Sequence, residues 1–82
     1  MSRARDVVEV VARALVDHPE SLRIEERVDR GSVQVELATR PGDLGRLIGR
    51  RGRTASAVRT LAEIASEPDG LRVAVDFLDD EG

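Results

Sequence analysis

Apolar residues recur along the chain in two rhythms, and the changes between them mark its elements. Val7, Val8, Val11, Ala14 and Leu15 fall at i, i+1, i+4, i+7 and i+8, one face of a helix. This predicts a helix over 2–17, ended by Pro19. From 22 to 30 the period drops to two, with Leu22, Ile24 and Val28 on one face and Arg23, Glu25, Arg27 and Asp29 on the other. Glu26 interrupts the apolar face and marks a strand edge or bulge. Arg30-Gly31 reads as a tight turn, and 32–39 alternates again with Val33, Val35 and Leu37 inward. Two alternating runs around a glycine turn predict a β-hairpin.

The rhythm then returns to that of helices. Pro41 suits a first helical turn, and Asp43 favours the positive end of a short helix over 43–48. A longer helix follows over 53–66, with Val58, Leu61, Ala62 and Ala65 in one stripe that Ala57 and Ile64 widen. Its apolar surface is wider than one small sheet needs. Pro68-Asp69-Gly70 is a turn. Leu71, Val73, Val75 and Phe77 alternate with Arg72, Ala74 and Asp76 in a third strand, 71–78, before an acidic tail, Asp79-Asp80-Glu81-Gly82. The order α-β-β-α-α-β predicts one two-layer α+β domain over 1–82. Its three-stranded sheet is mixed, because the two-helix crossover brings the last strand in parallel.

Between the two middle helices lies Leu47-Ile48-Gly49-Arg50-Arg51-Gly52-Arg53. Glycine costs a helix interior roughly 1 kcal/mol against alanine, so Gly49 and Gly52, three apart, predict a break with Arg50 and Arg51 at its tip. A helix beginning there aims free N–H groups and its positive dipole end at the same place. Backbone donors, a helix N-terminus and guanidinium forks suit phosphate. The other reading of G-x-x-G alone is a turn between helices with surface arginines.

Net charge, −3 over 82 residues, argues against non-specific adhesion to polyanions. Its distribution is uneven. The segment 40–59 holds six arginines against Asp43 alone, a charge of +5, and the remainder carries −8. Such a basic island in an acidic body fits local anion binding. All thirteen basic residues are arginine. The chain has no cysteine and a single histidine, His18, which removes Cys/His nucleophile pairs and histidine-cluster metal sites. As a cation at the end of the first helix, His18 would favour the helix C-terminus. Without lysine there is no P-loop, and Glu25-Glu26 and Asp79-Asp80 read as solvated carboxylates. No apolar run is long enough to span a membrane, and Met1–Arg5 leads into mixed charged sequence rather than a signal-peptide core. The expected protein is cytoplasmic, with no enzymatic activity and no cofactor.

The element order, with its glycine break between the middle helices, resembles a type II KH domain. The stretch Pro41-Gly42-Asp43-Leu44-Gly45-Arg46-Leu47-Ile48-Gly49-Arg50-Arg51-Gly52-Arg53 is similar to the P-x-D-x-G-[KR]-[VIL]-I-G-[KR]-x-G-R pattern of the small bacterial KhpA family. This resemblance implies an RNA-binding protein, an RNA chaperone or post-transcriptional regulator that clamps about four single-stranded nucleotides. It also implies homodimers, pairing with a larger KhpB/Jag-type KH-R3H protein, and a link to cell shape. Carried over by position, the RNA-binding residues are Gly49, Arg50, Arg51 and Gly52 of the loop with Arg46 and Arg53. Leu47 and Ile48 support the groove from the preceding helix. Thr54 departs from the pattern, standing where isoleucine is common, and is a smaller, more polar base contact. Phe77 is the sole aromatic residue, which leaves no aromatic stacking platform of the RRM or OB type. The alternative function is a KH-fold dimerisation or scaffold module with weak RNA contact.

Overall fold

A computed structural model describes residues 2–79. Its elements are α1 (Arg3–Leu15), β1 (Arg23–Asp29), β2 (Ser32–Thr39), α2 (Pro41–Ile48), α3 (Arg53–Ser66) and β3 (Arg72–Asp79), with short 3₁₀ turns at Pro19–Ser21, Arg50–Gly52 and Glu67–Asp69. β2 is the central strand, antiparallel to β1 and parallel to β3. The sheet is therefore mixed, as the two-helix crossover requires. This is the α+β KH arrangement.

The helices cover one face of the sheet. Val33, Val35, Leu37 and Val75 meet Ala4, Val8 and Ala12 of α1, Leu47 of α2, and Val58 and Ala62 of α3 in a single core. Along β2 every second residue is buried, from Val33 to Thr39, the period-two pattern of a strand with one solvated face.

Several boundaries differ from those read in the sequence, for physical reasons. Ser2 lies outside α1 as its N-cap, its hydroxyl accepting from the Arg5 N–H at 3.1 Å, as expected of serine there. α1 stops at Leu15 rather than 17, with Val16 already extended. The N–H groups of Asp17 and His18 turn away to the Asp43 carboxylate instead. α2 begins two residues earlier than 43, with Pro41 in its first turn. Glu26 causes no bulge, since the β1–β2 register runs unbroken through Glu26↔Val35. It is half-buried rather than solvated, and accepts from both the N–H and the hydroxyl of Ser2. These bonds hold its carboxyl below the ordinary glutamate range. Val28, expected inward, is 63% exposed on the outer strand β1, although its partner Val33 on the central strand is buried. Of the acidic tail, Asp79 closes β3, and 80–82 lie outside the described residues.

Candidate nucleic-acid interface

The loop between α2 and α3 is shaped by three departures from ordinary backbone. Gly49 sits at φ 73°, ψ 175°, a region open essentially to glycine alone. Arg51 at φ 56° and Gly52 at φ 71° are both left-handed, so α2 ends and α3 restarts within four residues. The turn is closed by backbone bonds from Gly49 N–H to Gly45 O (2.9 Å) and from Gly52 N–H to Gly49 O (3.2 Å). A side chain at Gly49 would also collide with Thr54, whose Cβ lies 2.8 Å from where a Gly49 Cβ would stand. Thr54 is therefore the wall against which Gly49 is packed. Gly52 has open space around it, and its requirement is conformational alone.

This geometry projects Arg50, Arg51 and Arg53 into solvent around a cavity of about 270 Å³ lined by these three residues. None of the three forms an ion pair or side-chain hydrogen bond among the described residues. α3 starts at the same point with no side-chain cap and no acid in its first turn. The positive end of its dipole lies at the same turn as the three unpaired guanidinium groups.

The remaining residues expected in the site separate by depth. Ile48 is partly exposed, at 37%, beside the loop. Leu47 is 1% exposed and belongs to the core, so it supports α2 from beneath and presents no contact surface. Arg46 pairs with Asp17 at 2.9 Å, both side chains more than half exposed. An exposed pair of this kind contributes about 0–1 kcal/mol, so Arg46 is the one basic candidate with a competing partner.

Asp43 does more than favour a helix dipole. It is nearly buried and accepts from the N–H groups of Asp17 (3.1 Å) and His18 (3.0 Å), with His18 Nδ1 at 3.4 Å. Burial raises its pKa, but the hydrogen bonds from Asp17 and His18 outweigh it and hold the carboxyl below the ordinary aspartate range. His18 stands beyond α1, which ends at Leu15, and its role is in this anchor rather than at that helix's C-terminus. Asp43 thus ties the α1–β1 connection to the base of α2.

Sequence reasoning missed two features. One is the Gly49–Thr54 contact, signalled only by their spacing across a four-residue turn. The other is Arg59, whose Nε donates to Val75 O at 3.2 Å while its guanidinium lies 5.2 Å from the Phe77 ring centroid. Both partners are on β3, and no sequence period reports the register of α3 against β3.

A helical layer on a mixed β1-β2-β3 sheet, broken by a G-x-x-G turn between its second and third helices, defines a KH domain. Residues 5–77 match the model of the KhpA/KhpB KH domain, and the chain belongs to that family. It is 41% identical over 75 residues to the RNA-binding protein KhpA of Halalkalibacterium halodurans, covering 92% of this chain and 99% of the relative. It is 45% identical to that of Mycobacterium leprae, covering 85% and 86%, and 37% identical to that of Aquifex aeolicus, covering 96% and 100%. Among solved structures it resembles a point variant of Aquifex aeolicus Era bound to GDP and aluminium fluoride. There the TM-score is 0.65 at 16% identity, over 93% of this chain and 30% of that one, a likeness of fold alone. Among the described residues no helix is long and apolar enough to cross a membrane.

Proposed function

We propose that this chain is an RNA-binding protein of the cytoplasm whose residues 1–82 act as one KH domain, gripping about four single-stranded nucleotides at Gly49–Gly52. The observation that carries the reading is the set of three exposed, unpaired arginines around a glycine turn that opens α3. Gly49 and Gly52 let a phosphate backbone approach, Arg50, Arg51 and Arg53 supply charge-assisted donors, and Ile48 supplies apolar contact beside the loop. Membership of the KhpA/KhpB family supports an RNA chaperone or post-transcriptional regulator. A short single-stranded RNA should bind more tightly than a duplex of the same sequence in a filter-binding assay. Preference for the duplex would refute the groove.

A second property has its own support. Val10 on α1 and Leu61 and Ile64 on α3 are 70%, 44% and 55% exposed. With Ala14 and Ala57, they lie on the solvent side of two helices packed against each other. We assign this face to self-association, or to pairing with a KhpB-type KH domain. The wild type should scatter light as a dimer at tens of micromolar, and Leu61→Glu as a monomer. A strictly monomeric wild type at that concentration would remove the assignment.

A further inference from the structure

Beyond the loop, α3 and the free edge of β3 enclose a cleft of about 400 Å³ lined by Ser56, Arg59, Thr60, Glu63 and residues 73–76. It lies further along the same helix from the glycine turn. Arg53, Ser56 and Thr60 follow at i, i+3 and i+7 along one exposed flank of α3, and Arg59 stands about 10 Å along the helix axis from Gly52. That distance falls within the footprint of about four nucleotides on a KH domain.

Arg59 is held unlike the loop arginines. Its Nε is bonded to Val75 O, on the β3 edge that β2 does not cover. Its cation packs over Phe77, a contact of the cation–π type. Two fixed points on one side chain reduce the freedom that a ligand would otherwise have to remove. They leave the two terminal amino groups unbonded, and Arg59 has no ion pair among the described residues. Glu63, one turn on, lines the same cleft, whereas the Asp76 carboxylate is taken by Gln34 Nε2 at 2.9 Å. The bond from a neutral amide leaves the Asp76 charge in place, so one guanidinium faces two carboxylates and the cleft is slightly negative where the loop is strongly positive. It suits a base edge rather than a phosphate.

We infer that Arg59 reads a base of the bound strand, presenting its two terminal amino groups to a pair of adjacent acceptors, with guanine O6 and N7 as the matching pair. The inference rests on the RNA reading above and adds specificity to it. The loop holds the backbone, and Arg59, pre-set by Val75 and Phe77, selects the nucleotide beside it.

The test uses the full chain and hexauridylate probes carrying one guanosine at each position in turn. For the wild type, guanosine at one position should tighten binding about 5- to 100-fold over all-uridine RNA. The gain should vanish with 7-deazaguanosine, which lacks the N7 acceptor. Arg59→Lys keeps the charge and loses the planar fork, and its guanosine-to-uridine affinity ratio should fall to about one. A wild type that binds all probes equally, favours cytidine equally at that position, or keeps its gain with 7-deazaguanosine overturns the inference and leaves the loop clamp standing. A guanosine gain that survives in Arg59→Lys also overturns it. No binding of any probe by the wild type sinks the RNA reading itself. The 7-deazaguanosine arm needs no variant, so the answer does not depend on how Arg59→Lys folds.

Discussion

Arg5 and Arg13 of α1 and the arginines of the α2–α3 loop are the same residue type in opposite circumstances. Arg5 and Arg13 both reach Glu9, at 2.6 and 3.0 Å one turn to either side. Glu9 is held below the ordinary glutamate range by the Arg5 hydrogen bond first and the Arg13 hydrogen bond next. Arg50, Arg51 and Arg53 have no such acid. The four residues following the turn, like the first turn of α3, carry none. The difference teaches that arginine count does not locate an anion site. What marks a candidate is charge left unpaired by its own fold, at the positive end of a helix.

The largest expected effect is on binding. Arg50→Asp with Arg51→Asp removes two guanidinium groups and sets two carboxylates beside the proposed phosphate path. At about 1.5–3 kcal/mol for each charge-assisted hydrogen bond removed, affinity for short single-stranded RNA should fall at least 100-fold. Stability should barely move, since both sites are exposed and aspartate tolerates the left-handed backbone of Arg51. The matching control is Arg3→Asp with Arg30→Asp, two exposed positions away from the loop. Arg5 is unsuitable because Glu9 depends on it. Equal loss in both pairs would mean that net charge, and not the glycine loop, governs binding.

Gly49→Ala tests the frame that presents the loop. The backbone region and the collision with Thr54 together should cost about 3 kcal/mol or more. In a domain of this size that lowers Tm by roughly 12 °C or more in a thermal melt. Gly52→Ala meets no neighbour and should cost only about 1–2 kcal/mol. Equal losses would mean that Thr54 is not the wall described above.

Acid should loosen the base of α2. The folded pKa of Asp43 lies below its unfolded value, so its contribution is complete above about pH 4 and is lost as pH falls through the folded value. Asp43→Asn should therefore be less stable than wild type at neutral pH, and denaturant titrations of the two should converge in acid. A constant gap across that range would remove the carboxylate from the account.

Smaller still is Thr39→Val. The Thr39 hydroxyl is fully buried with no hydrogen-bond partner among the described residues. Its removal should leave stability unchanged or raise it by up to about 1 kcal/mol in a urea titration.

Much of this was legible beforehand, and the parts that were not share a cause. β2 could be read because alternate residues enter one core. The turn could be read because Gly49 and Gly52 break a helical rhythm that resumes at Arg53. Leu47 and Ile48 read alike as supports of the groove, yet Leu47 lies in the core and Ile48 is partly exposed, because an eight-residue helix carries too few turns for its sequence to show which apolar residue faces inward. Glu26 reads as a strand edge or a bulge; β1 is an edge strand without a bulge, and what the sequence does not show is the bond of Glu26 to Ser2, 24 positions away. The position of Arg59 over Phe77 depends on how α3 crosses β3, which tertiary packing decides. Local periods report faces, whereas these three features are contacts between faces.

The most direct measurement of the central claim is the salt dependence of single-stranded RNA binding. If the loop neutralises three to four phosphates, log K should fall with log salt at a slope of about −2 to −3. Arg50→Gln with Arg51→Gln should make that slope shallower by about 1.4, while Arg3→Gln with Arg30→Gln should leave it as in the wild type. A wild-type slope near zero, or equal changes in the two double variants, would contradict an RNA clamp built from the unpaired arginines of the glycine loop.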